Sequence, residues 1–140
     1  MKKLLFVLAV FSVAADAPEA VVKYRQATMK SMGAHMSAMS VVVKGQVSNR
    51  AQLAVHAEAI HGVSAGLADL FPRLEKVKTA AKPAIWSDPK EFHAAADGLQ
   101  HESAKLAELA AKKDWKAFDV QFARVTEACD RCHDRFRVRD

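Results

Sequence analysis

Residues 115–137 read Trp-Lys-Ala-Phe-Asp-Val-Gln-Phe-Ala-Arg-Val-Thr-Glu-Ala-Cys-Asp-Arg-Cys-His-Asp-Arg-Phe-Arg. Within them Trp115, Phe118, Phe122, Val125, Cys129, Cys132 and Phe136 follow one another at steps of three and four. That spacing predicts an α-helix from about Trp115 to Arg137 with all seven on one face. The two cysteines continue its apolar stripe, so they are aimed at the interior of whatever the helix packs against.

Working outward, Lys112-Lys113-Asp114 makes a short turn with Asp114 as a helix cap. Before it, Ser87-Asp88-Pro89 is a start signal, a capping side chain followed by a proline that suits the first turn. The helix it opens runs to about Ala111 and buries Phe92, Ala95, Leu99, Leu106 and Leu109. Residues 72–86 read as a connection, with Pro83 and Trp86 near its end. A further helix starts after Ser48-Asn49 as cap and runs to about Phe71, where Pro72 ends it. Its stripe is Leu53, Ala57, Ile60, Ser64, Leu67 and Phe71. The first helix spans about Pro18 to Val43 and stops near Lys44-Gly45, where glycine suits a left-handed turn. Its seam is Val22, Arg25, Met29, Met32, Met36, Met39 and Val43, an apolar line interrupted once, by Arg25. No segment alternates with period two. The pattern is therefore all-α: one antiparallel four-helix bundle over residues 18–140, of the kind that holds cofactors between its helices.

Residues 1–17 stand apart. Met1-Lys2-Lys3 precedes a short apolar run from Leu4 to Phe11, and Ala15-Asp16-Ala17 resembles a cleavage site. This is the layout of an export signal, expected to be cut after Ala17, with Ala15 as the other candidate. The run is shorter than the ~18 residues a membrane-spanning helix needs, and nothing later in the chain is long and apolar enough. Export places the protein in the periplasm. The formal charge of +5 falls to +4 once Lys2, Lys3 and Asp16 are removed. A mild positive excess helps steering toward an acidic redox partner protein. The basic residues are scattered and no aromatic platform lies among them, which argues against nucleic acid.

Cys129-Asp130-Arg131-Cys132-His133 has the C-x-x-C-H spacing of covalent haem c attachment. Thiols one helical turn apart can bond the two vinyl groups on one porphyrin edge, and the neighbouring histidine then reaches the iron. The chain's only two cysteines occupy this motif, and the export signal suits it. Three rival uses of C-x-x-C remain. A thiol–disulfide oxidoreductase places the pair at a helix start within a βαβ pattern. A disulfide within one helix distorts the backbone. A zinc site needs further ligands at matching spacing.

At this point the chain resembles the class II cytochromes c, the family that contains cytochrome c prime. The likeness rests on C-x-x-C-H near the C-terminus, in Cys129-Asp130-Arg131-Cys132-His133-Asp134-Arg135-Phe136-Arg137. It rests also on Tyr24-Arg25-Gln26-Ala27-Thr28-Met29-Lys30 and on Ile85-Trp86-Ser87-Asp88. The resemblance implies one covalently attached haem, with His133 on the iron and Met29 facing it from the first helix. It implies that Arg25 pairs with a haem propionate, that Arg137 lies beside the proximal histidine, and that Trp86 sits near the haem edge. Homodimers through the first two helices are common in the family, and Val41 and Val42 suit such a contact. The loop Leu70-Phe71-Pro72-Arg73-Leu74-Glu75-Lys76 departs from the family pattern, lacking the small Ala-Gly-Ser run after the proline.

In low-spin members the methionine is the sixth iron ligand; in cytochrome c prime the same position does not ligate. The expectation here is six-coordinate iron and one-electron transfer, with His133 and Met29 as axial ligands. The alternative is a five-coordinate protein that binds nitric oxide or carbon monoxide. Met32, Met36 and Met39 read as packing. His35, His56, His61, His93 and His101 form no evident second metal constellation and read as surface or interface residues. No nucleophile–base or paired-carboxylate pattern predicts an enzyme.

Overall fold

The computed structural model describes residues 16–138. Most of the predicted signal, residues 1–15, lies outside them. The chain folds as α1 (Pro18–Val43), α2 (Leu53–Ser64), a single-turn α3 (Ala84–Ser87), α4 (Pro89–Ala111) and α5 (Trp115–Phe136). The four long helices form the bundle, and α1, α4 and α5 start and stop where their side chains dictate. Pro18 opens α1, and Gly45 follows it with φ 72° while its N–H donates to the Val42 carbonyl at 3.0 Å. Asp88 and Asp114 cap α4 and α5 by accepting from the Glu91 and Ala117 N–H groups at 3.4 and 3.2 Å. No helix of the described residues is long and apolar enough to cross a membrane.

The second helix differs from its predicted form. A 3-10 turn over Arg50–Gln52 precedes it, and neither Ser48 nor Asn49 caps it through a side chain. It also ends at Ser64 rather than Phe71: Ala65 is extended, Gly66 takes φ 75°, and Leu67–Leu70 form a 3-10 turn. Glycine adopts that left-handed backbone without steric cost, so the helix breaks there. The apolar stripe survives the break, because Leu67 is buried with Leu53, Ala57, Ile60 and Ser64.

Packing runs in sequence order, α1 on α2, α2 on α4 and α4 on α5. Phe118, Met39, Leu53, Ile60, Leu106 and Val125 are fully buried at its centre. On α4 the buried line is Phe92, Ala96, Leu99, Ser103, Leu106, Ala107 and Ala110. Ala95 and Leu109 lie at its margin, half-buried. α1 and α5 close the ring only loosely. Between them the bundle is open, and that gap decides where a cofactor can go.

Candidate functional site

The gap is a cavity of about 630 Å³. α5 contributes Thr126, Cys129, Asp130, Cys132, His133 and Phe136 to its wall, and α1 contributes Arg25, Met29, Met32, Gly33 and Met36. Thr79, Ala80 and Ala81 of the connection, with Arg137 and Val138 beyond α5, complete one end. Its volume lies within the range typical of small-molecule and cofactor sites. Exposed Gln26, Lys30, Asp130 and Arg137 form part of the rim, so the cavity has a polar mouth and an apolar interior.

Local structure explains why these side chains converge. Cys129 and Cys132 lie one turn apart on α5, at the edge of its buried stripe nearest the gap, and both are half-buried. Below them Phe136 packs edge-on against Phe92 with ring centroids 5.2 Å apart, and Phe92 meets Phe71 in the same way at 5.0 Å. These rings and Ile85 form a second, smaller core that anchors the last turn of α5. The connection then clasps that turn. The Lys82 N–H donates to the Phe136 carbonyl, and the Val138 N–H to the Ala80 carbonyl, both at 2.8 Å. An isolated antiparallel bridge joins Ala81 to Arg137.

Arg25 is 4% exposed, unusual for a guanidinium. Its Nη2 donates to Thr79 Oγ1, and its charge sits 4.7 Å from the centre of the Phe71 ring. Its Nη1 is buried without a hydrogen-bond partner among the described residues. Burial without a matching anion pulls this guanidinium below its ordinary pKa. A buried cation with an unmet donor on a cavity wall calls for a carboxylate-bearing occupant.

Burial drives both thiols the other way. Cys129 is pushed up to about 11, by desolvation first and then by Asp130 and Cys132, and Cys132 is raised by burial. A redox-active cysteine needs its thiolate stabilised, as at a helix N-terminus or beside a cation. These two have the opposite environment, which counts against a thiol–disulfide oxidoreductase. Among the described residues no group of three or more histidine, cysteine or carboxylate side chains is arranged to hold a metal ion directly. The donor set instead suits a porphyrin: two thiols one turn apart, an adjacent imidazole, and a buried guanidinium facing them across the cavity.

Of the residues singled out in the sequence, Arg25, Met29, Cys129, Cys132, His133 and Arg137 all line this one cavity. Trp86 does not. Its indole Nε1 donates to the Phe71 carbonyl at 2.9 Å, so it holds in place a ring that does line the cavity. Thr79, Phe71 and Gly33 also line the cavity, although the sequence does not assign them to the site. Phe71 carried a signal as the last member of a helical stripe; Thr79 sits in an irregular connection and carried none.

A helical bundle that gathers two thiols and a neighbouring imidazole around an apolar cavity defines a c-type haem protein. Residues 20–137 match the family model described as Cytochrome C'. The chain is 38% identical over 122 residues to cytochrome c' of Pararhodospirillum photometricum, covering 86% of this chain and 98% of that one. It is 34% identical over 122 residues to cytochrome c' of Alcaligenes xylosoxydans xylosoxydans, covering 86% and 94%. Among solved structures, a nitric oxide complex of a cytochrome c prime variant from Alcaligenes xylosoxidans superposes with TM-score 0.82 and 31% identity, over 91% of this chain and all of that one. A cytochrome c' described by its ligand-controlled dimer dissociation gives TM-score 0.82 and 27% identity, over 90% of this chain. The chain belongs to the cytochrome c' family, whose members carry one covalently attached haem c.

Proposed function

We propose that this protein is exported to the periplasm, that Cys129 and Cys132 would hold its haem by thioether bonds with His133 as the iron ligand, and that the haem would bind nitric oxide or carbon monoxide. One observation carries the reading. The cavity that gathers these residues belongs to a bundle that superposes at TM-score 0.82 on a relative described as a nitric oxide complex. When bound, the haem supplies an iron that can accept a diatomic ligand or exchange one electron.

This chain's own residues supply the setting. Cys129 and Cys132 would fix the group to α5, and His133 would supply the imidazole that holds its iron. Arg25 offers its unmet Nη1 to a propionate, and Thr79 and Phe71 hold the guanidinium in place from behind. Met29, Met32 and Met36 give the α1 wall an apolar, deformable surface that excludes water and yields to a small entering ligand. Met29 also packs on the main core cluster, which supports a packing role.

A second reading is favoured by the position of Met29 on the wall facing α5. With Met29 as sixth ligand the protein would be a one-electron carrier, docking redox partner proteins at the rim near Lys30 and Arg137. The reading has no enzymatic step in either form. Association into a homodimer through α1 and α2 accompanies it, motivated by the relative named for its dimer dissociation and by exposed Val41 and Val55.

The ferrous absorption spectrum with and without carbon monoxide separates the two. A high-spin ferrous form that takes up carbon monoxide at neutral pH is the expected result. A low-spin form unmoved by carbon monoxide would overturn the gas-binding reading in favour of electron transfer. Intact mass should show one haem, with neither cysteine open to alkylation; two free thiols would remove the basis of both.

A further inference from the structure

Away from the cavity, two histidines from different helices meet. Nδ1 of His35 on α1 lies 2.9 Å from Nδ1 of His56 on α2, with ring centroids 5.1 Å apart and planes tilted by 56°. Both are partly buried, whereas His93 and His101 are exposed. Two neutral imidazoles that meet through the same atom can share only one proton between them, so one Nδ1 lone pair always faces the gap.

We propose that His35 and His56 form a binding site for a divalent transition-metal ion of the copper(II) type, clipped between α1 and α2. The donor set carries the choice of ion, since imidazole suits copper(II), which binds a given nitrogen site more tightly than the other first-row divalent ions. With metal–imidazole bonds of about 2.0 Å, two nitrogens on adjacent corners of a square plane lie about 2.8 Å apart, while tetrahedral ligands lie about 3.3 Å apart. The observed 2.9 Å is the length of an ordinary hydrogen bond between the rings, and it lies nearer the square-planar spacing than the tetrahedral one. A small rotation of each ring turns both lone pairs toward one ion. The imidazoles are held by helices that already pack together, so little order is lost on binding. Desolvation, and then the neighbouring His35, lower the pKa of His56 from its ordinary value.

Among the described residues no third histidine, cysteine or carboxylate joins the pair. Water fills the remaining corners, and the ion is exchangeable rather than structural. The site also touches the cavity indirectly. His35 lies about one turn from Met32 on α1, and Met32 lines the cavity wall. An ion joining α1 to α2 stiffens that wall.

The test uses the mature haem-loaded protein titrated with copper(II) sulfate in a non-coordinating buffer, followed by calorimetry and by electron paramagnetic resonance. The expected result is one equivalent bound, with a resonance split by two nitrogens and a raised melting temperature. His35→Gln and His56→Gln should each weaken binding by about a hundredfold, because each leaves a single ligand in place of a chelating pair. His93→Gln and His101→Gln should leave it unchanged. An unaltered haem spectrum in each variant checks that the bundle is intact. The proposal is overturned if the native protein takes up no copper, or if the His35→Gln/His56→Gln double variant binds it as tightly as the native chain.

Discussion

Replacing Met29 by alanine discriminates between the two ways this protein could use its iron, and its cost can be worked from the structure. The substitution removes Cγ, Sδ and Cε. Fully buried, groups of that size contribute about 0.8 kcal/mol each, or about 2.4 kcal/mol together. Met29 is only partly buried, against the main core on one side and the cavity on the other, so about half of that applies. Because the cavity already opens beside it, little extra void energy is added. The loss should be about 1 kcal/mol, read as a fall in melting temperature of about 4 °C. If Met29 only packs, the ferrous spectrum stays high-spin and carbon monoxide associates faster through the widened wall. Met29→Leu, nearly equal in volume, should restore the native melting temperature. Conversion of a low-spin native spectrum to high-spin in Met29→Ala would refute the packing role and make the methionine a ligand.

The rest of the framework gives three further expectations. Phe118→Ala empties the centre of the bundle, where the ring is fully buried, and should cost about 3–5 kcal/mol by urea unfolding; a cost below about 1 kcal/mol would mean that the core is not built around it. Trp86→Phe keeps the ring but removes the donor to the Phe71 carbonyl, and should cost about 1 kcal/mol while leaving haem attachment intact; loss of attachment would show that Trp86 acts on the haem more directly than through Phe71. Lys82→Pro removes the N–H that meets the Phe136 carbonyl and should speed amide exchange at Arg137 and Val138 with the helices otherwise preserved; unchanged exchange would show that the clasp is not what orders the end of α5.

The helices were legible because their determinants are local. Steps of three and four, Asp88 and Asp114 as caps, and Gly45 after α1 are all readable within a few residues. The break in α2 at Gly66 was less so, since the apolar stripe continues through it to Leu67 and a period alone does not register one left-handed residue. The site divides in the same way. Cys129, Cys132 and His133 form a contiguous motif, and Arg25 was visible as a charge within an apolar seam. What holds Arg25 was not visible: Thr79 is 54 residues away in an irregular connection, next to the residues 80–82 that pair with the end of α5. The meeting of His35 with His56 escaped notice for the same reason, as it depends on the relative rotation of two helices.

That clasp bears on why so specific a motif can stand near the end of a helix. Terminal turns of helices fray unless something ties them down, yet Cys132 and His133 lie within the last two turns of α5. Frayed residues would leave thiols and imidazole without a fixed relation to the wall of α1. Three features prevent it here. Phe136 is buried against Phe92, the backbone beyond it pairs with Ala80 and Lys82, and Lys82 Nζ reaches the Asp134 carbonyl at 2.8 Å. The same connection presents Thr79 to Arg25 on the opposite side of the cavity. One irregular segment thus contacts both the end of α5 that carries the two cysteines and the charged wall of α1. The two cavity-forming helices scarcely touch, so this segment joins two walls that the bundle otherwise links through α2 and α4.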